Sequence, residues 1–219
     1  MLSQSTSESN ARVTPFTLLS PIVIISIGFM VAQLSKQSLD PAIAWLPPMI
    51  TYWLSLAIAI ILLRGISTYR IWLLPSKGGW GWRLLAMVST AMIVIPTLLF
   101  AKSFSMSEGW RVGVWLLITF LNPIVEEGYW RATLMDASHK WHGLASILYS
   151  AFWFGLSHPL IIGVNIVLVA GITGFVGTFI NGLIWSAVYD KTQSLRWGIA
   201  SHILANLFSI GIFLGIIVF

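Results

Sequence analysis

The 219-residue sequence contains no cysteine. That removes disulfides, a thiolate nucleophile and Cys-ligated zinc together. Charge is scarce too: only 9% of residues are Asp, Glu, Lys or Arg, where a soluble domain carries about a quarter. Several hydrolase signatures are also missing. There is no H-E-x-x-H, Gly155-Leu156-Ser157 is followed by His158 where a serine site of the G-x-S-G type needs glycine, and Tyr189-Asp190 has no G-x-G-D counterpart. No linker or long repeat divides the chain, so residues 1–219 read as one integral membrane domain.

What is present is apolar. Hydrophobic residues make up 57% of the chain, with 12 Trp and 12 Phe. The mean hydropathy is +0.87. A hydrocarbon core needs roughly 20 helical residues to cross it. Apolar runs at about 14–35, 42–63, 84–101, 112–135, 144–162, 164–189 and 196–219 predict an all-α, polytopic bundle of about seven spans, with six to eight compatible with the pattern. Residues 1–13 are polar and Ser-rich, without the basic n-region and small-residue cleavage site of a secretory signal, and read as a tail. The interruption at 65–83 suits an amphipathic surface stretch, with a short helix over TYRIWLLP.

The formal charge is +5, but its basic residues stand singly between apolar runs. They form no nucleic-acid face and read as topology charges. With the N-terminus inside, Arg12, Arg64, Arg70, Lys77, Arg83, Lys140, Lys191 and Arg196 fall on the inner side. Lys36, Lys102 and Arg111 fall outside. The imbalance predicts a cytoplasmic N-terminus.

Polar residues interrupt the last four spans at Glu126, Glu127, Arg131, His158, Asn181, His202 and Asn206. An ionisable side chain in the hydrocarbon region is costly and needs partners there, so each is a candidate for function. Glu127 and Arg131 are four apart, acid first, the orientation that suits a same-face ion pair. Glu126 is rotated about 100° from Glu127 and points elsewhere. Pro123 cannot donate its N–H and should disturb the helix just ahead of the glutamates. His202 and Asn206 share a helix face. His139 and His142 fall in the polar stretch ASHKWHG and read as solvated. Ala170, Gly174, Thr178, Gly182 and Ser186 line one face of the sixth span with small residues, a packing surface, and Asn181 beside them should bond across helices. Together the polar residues supply a carboxylate, two imidazoles and an amide inside a dry scaffold, an acid/base and oxyanion kit. They predict a polar catalytic cavity between the last four helices.

The order Glu126-Glu127-x-x-x-Arg131, Phe154-x-x-x-His158, His202-x-x-x-Asn206 resembles the three motifs of the CPBP (Abi) family of intramembrane proteases, which includes the type II CAAX prenyl endopeptidases and bacteriocin-processing or immunity-type proteins. The resemblance covers about residues 112–206 and departs from the family pattern at Gly128 and Ala132. It implies a glutamic-type endopeptidase acting on a membrane-associated, prenylated or leader-bearing protein or peptide that enters from the bilayer. Glu126 with His158 would activate water, His202 with Asn206 would stabilise the oxyanion, and Glu127 with Arg131 would brace the site. It implies no obligatory cofactor; a zinc ion, were one bound, would take Glu126, His158 and His202. Two other readings fit the same residues: a silent membrane chaperone, assembly or immunity factor of this fold, and a proton-coupled transporter.

Overall fold

A computed structural model describes residues 15–104 and 109–218, and the polar tail at 1–13 lies outside the described residues. The chain forms α1 (Pro15–Ser38), α2 (Leu46–Leu63), a short α3 (Tyr69–Trp72), α4 (Trp80–Val88), α5 (Ala91–Phe100) and α6 (Gly109–Glu126). After α6 the helix continues as a π-helical segment, Glu127–Thr133, and a last turn, α7 (Leu134–Ala137). Then follow α8 (Gly143–Ser157), a second π segment (His158–Ile162), α9 (Gly171–Thr192) and α10 (Arg196–Phe213). Two short strands, Ser103–Phe104 and Ile217–Val218, pair antiparallel at one end.

The distribution of polarity is that of a membrane protein. Leu19, Val23 and Met30 of α1, Leu54 and Leu62 of α2, Leu98 and Leu99 of α5 and Ile172 of α9 are exposed, while Glu126, Glu127, Arg131, Ser150, Ser186 and Ser201 are fully buried. Charged side chains are almost never fully buried in a water-soluble protein unless paired. Here the apolar groups face outward and the polar groups pair inside, as lipid demands. The chain is a multi-pass, all-α membrane protein.

Four helical segments are long and apolar enough to cross a bilayer: Pro15–Ser38, Leu46–Leu63, Gly143–Ile162 and Gly171–Thr192. The pair Trp80–Val88 and Ile93–Phe100, bent by 47°, makes a fifth if taken as one span. The count is therefore four or five against the expected seven. The runs at 112–135 and 196–219 do form helices, α6 and α10, but these carry Arg111, Asn122 and Glu126, and Arg196, His202 and Asn206. Those polar residues lower their apolarity. The run at 84–101 breaks because Ser89 and Thr90 turn their hydroxyls back onto the Ala86 and Met87 carbonyls, both at 2.7 Å, a local competition that bends helices. The sixth run begins at Gly171, where φ is +61°, and not at 164. Residues 163–170 form turns and a single 3-10 turn instead.

Two prolines shape the site. Pro159 has no N–H, and its ring excludes the carbonyl four residues back. That carbonyl, Gly155 O, accepts instead from Thr178 Oγ1 of α9 at 3.2 Å, and the chain widens to the π pattern, with Gly163 N–H donating to His158 O at 2.7 Å. Pro123 lies inside α6, which continues as α-helix to Glu126 and does not break ahead of the glutamates as expected; the helix widens only afterwards, as the π segment at Glu127–Thr133. The small residues of α9 pack on α8. A Cβ on Gly182 would lie 3.1 Å from Ala151 Cα, and Ser186 Oγ donates to Ser150 Oγ at 3.3 Å.

Candidate active site

Glu126 is fully buried and held from two directions. Tyr52 Oη of α2 donates to Oε1 at 2.7 Å, and Asn122 Nδ2, one turn back on α6, donates to Oε2 at 2.7 Å. Indole N–H groups, which can only donate, fix both directions. Trp130 Nε1 donates to Tyr52 Oη at 2.8 Å, leaving the tyrosine's own hydrogen for Glu126. Trp53 Nε1 donates to Asn122 Oδ1 at 2.6 Å, so the amide must turn its NH2 to the carboxylate.

Glu127 faces the other way, as its helix position implies. Arg131 Nε lies 3.4 Å from Glu127 Oε2, and both side chains are fully buried. The guanidinium is held mainly by rings: its carbon is 4.0 Å from the centroid of Phe154 and 5.3 Å from that of Trp185. Such stacking suits arginine and not lysine. Gly198 of α10 leaves room for Glu127, since a Cβ there would lie 2.9 Å from Oε2.

His202 joins the two glutamates, which spacing alone did not foretell. Its Nδ1 is 3.0 Å from Glu127 Oε1, and its Nε2 is 3.3 Å from Glu126 Oε2. The imidazole therefore stands between the two carboxyl groups, with Nδ1 in hydrogen-bond contact with Glu127 and Nε2 turned toward Glu126. Trp185 stacks on the imidazole with ring centroids 4.4 Å apart and planes at 24°.

His158 follows from the second π segment. Its Nδ1 lies 2.9 Å from the Phe154 carbonyl, an acceptor, so Nδ1 carries the hydrogen and Nε2 keeps its lone pair. His158, His202, Asn206, Asn122 and Asn181 line one cavity of about 140 Å³, walled otherwise by apolar side chains such as Ile118, Phe154 and Ile162. Asn206 Nδ2 is buried there with no hydrogen-bond partner among the described residues. The cavity has room for several waters. Glu126 does not line it but sits one layer behind, in contact with Asn122 and His202. Asn181 faces this cavity and makes no bond across helices among the described residues, against expectation. A second opening of about 460 Å³, lined by Thr97, Gly177, Ile180 and Ile212, shares Ile93, Leu168, Thr178, Asn181 and Ser209 with the first and so abuts it. His139 and His142 are exposed, outside the cluster.

The zinc ligand set does not assemble. Among the described residues no three His, Asp or Glu side chains are grouped to hold a metal ion. Both nitrogens of His202 already face carboxylates.

Sequence reasoning missed Tyr52, Trp53, Trp130, Asn122 and Gly198. Asn122 had a usable signal, since it precedes Glu126 by one helical turn. Gly128, one of the departures from the family pattern, has a structural reason. Tyr69 of α3 occupies the space its Cβ would need and donates to Ile124 O at 3.0 Å.

Buried acids, a histidine bridging them and a second histidine on a small internal cavity define a membrane-embedded acid–imidazole site in a multi-pass helical protein. Residues 108–208, a little under half of the chain, match the family model described as type II CAAX prenyl endopeptidase Rce1-like. The matched segment takes in Glu126, Glu127, Arg131, His158, His202 and Asn206. No curated protein and no solved structure matches the chain.

Proposed function

We propose that the protein is an intramembrane endopeptidase that hydrolyses a peptide bond with an activated water. The observation that supports this reading is the meeting of Glu126 and His202 at 3.3 Å beside a cavity that also holds His158 and an unpartnered Asn206 amide. His158 Nε2, with its lone pair open, takes a proton from water as the water oxygen attacks the substrate carbonyl carbon. Glu126, oriented by its hydrogen bonds from Tyr52 and Asn122, stands behind the cavity as the carboxylate that favours the imidazolium formed on His158. The tetrahedral oxyanion is met by Asn206 Nδ2 and by the His202 imidazole. When the carbon–nitrogen bond breaks, His158 returns its proton to the leaving amine. Glu127 and Arg131 hold His202 in place and do not touch the substrate. No step runs through a metal.

The substrate is a membrane-associated protein or peptide, prenylated or leader-bearing, reaching the cavity from the bilayer. The opening between α5, α9 and α10, flanked by exposed Leu98, Leu99 and Ile172, supports lateral entry. The basic ends of α2, α4 and α10 support a cytoplasmic N-terminus by the charge rule.

The test is Glu126→Gln, which keeps shape and removes charge. Membranes of cells carrying this variant should accumulate an uncleaved precursor that wild-type protein removes, with the variant present at wild-type level. If Glu126→Gln and His158→Ala both leave every membrane-protein product as in wild type, the protease reading fails and a silent scaffold of the same fold takes its place.

A further inference from the structure

At the end of the bundle where α4 and α10 begin, a cleft of about 370 Å³ is lined by Pro75, Ser76, Arg83, Arg196, Trp197 and Ala200. It shares no residue with the cavity described above. The cleft is built by specific bonds between residues 72–77 and 192–196. Lys77 N–H donates to Thr192 O at 2.9 Å, Ser194 Oγ to Leu74 O at 2.7 Å, Leu195 N–H to Trp72 O at 2.9 Å and Arg196 Nε to Leu73 O at 2.6 Å. The last of these fixes the Arg196 guanidinium at the mouth. Arg83 Nε is buried without a hydrogen-bond partner among the described residues.

Positive charge dominates the surroundings. Residues 64–83 carry Arg64, Arg70, Lys77 and Arg83 and no acid, and of these Arg64 is paired with Asp136 at 3.7 Å. The nearby Asp190 is paired with Lys191 at 2.9 Å. Trp80 and Trp197 lie with ring centroids 6.5 Å apart, and Arg83 rests over Trp80 at 5.5 Å. Tryptophan collects at the depth of lipid headgroups, and basic pockets between helices at that depth take anionic headgroups. The amino ends of α4 and α10 add partial positive charge at the same place.

We propose that this cleft binds the phosphodiester headgroup of an anionic membrane lipid, with Arg83 and Arg196 as the phosphate ligands and Trp80 and Trp197 flanking the glycerol region. The site does not depend on the activity proposed above. An acidic peptide would meet the same charges, but the tryptophans and the exposed apolar flank of α4, Leu84 and Val88, favour a ligand that continues as an acyl chain.

The experiment uses the full chain in detergent and reads retained lipid by native mass spectrometry, with phosphatidylglycerol and phosphatidylcholine offered at equal concentration. Wild type should retain phosphatidylglycerol selectively. A basic residue near an anionic surface is worth about 1 kcal/mol, so Arg83→Gln and Arg196→Gln should each weaken retention about fivefold and the pair roughly 25-fold. Lys36→Gln, at the other end of the bundle, should change nothing. Three results overturn the proposal: the paired variant retaining as much phosphatidylglycerol as wild type, phosphatidylcholine retained equally well, or inorganic phosphate raising the unfolding temperature as much as phosphatidylglycerol at the same concentration. Should the paired variant fail to fold, wild-type retention at rising NaCl decides. A fall supports headgroup recognition, and a flat response overturns it.

Discussion

Tyr52 and Glu126 stand 74 residues apart in sequence and meet at 2.7 Å. The tyrosine is a switch point between a donor-only indole and a carboxylate, so removing its hydroxyl breaks both of those bonds and its 3.4 Å contact with Ser157 Oγ. Tyr52→Phe should destabilise the protein by about 1–3 kcal/mol, because Trp130 Nε1 is left buried and unpaired. It should also reduce turnover more than substrate affinity. Thermal unfolding in detergent and kcat against KM check the two effects separately.

Glu127 and Arg131 form a fully buried pair. Glu127→Gln or Arg131→Met alone should cost about 3–5 kcal/mol, since each leaves a charge uncompensated. The double variant should recover part of that stability but not activity, because His202 loses its Glu127 anchor. A double-mutant cycle by thermal unfolding, run beside a cleavage assay, measures both. Arg131→Lys should cost less than Arg131→Met, since it keeps the charge opposite Glu127 and loses only the planar stacking on Phe154 and Trp185.

Asn206→Ala gives the opposite balance. Nδ2 has no hydrogen-bond partner to lose among the described residues, so unfolding temperature should stay near that of wild type. Turnover should fall about 10²–10³-fold, the usual cost of one oxyanion donor. A large stability loss with unchanged turnover would instead make Asn206 a structural residue.

Gly177 lines the lateral opening, and a Cβ there meets nothing within 4 Å. Gly177→Leu should therefore fold normally while filling the opening. Cleavage of a membrane-embedded substrate should drop at least tenfold, with a short soluble peptide less affected. Equal loss for both substrates would place entry elsewhere.

The sequence made the Glu127–Arg131 pairing legible, because one helical turn sets it and a wider π turn preserves it. The shared face of His202 and Asn206 and the extent of the 144–162 span were legible for the same local reason. Tyr52 and Trp53 were not, since a tyrosine or tryptophan in an apolar run looks like an interfacial ring and its long-range partner leaves no periodicity. Site residues dilute α6 and α10, so by length and composition four or five spans are supported where the sequence suggested seven. The helix drawn from 164 failed because Gly163 and Asn165 sit in turns that an apolar composition conceals. His202 between both glutamates was beyond spacing arguments, for it depends on how closely α10 approaches at Gly198.

The two indoles behind Glu126 have a further consequence for proton traffic. Trp130 and Trp53 give hydrogen bonds and cannot take them, so both chains that end on the carboxylate are closed at their far ends. The remaining neighbour of Tyr52 is Ser157 Oγ at 3.4 Å, which lies 3.3 Å from His158 Nδ1. That route leads back to the cavity it started from. On the proposed hydrolytic reading that return is sufficient, because the proton taken from water goes back to the leaving amine.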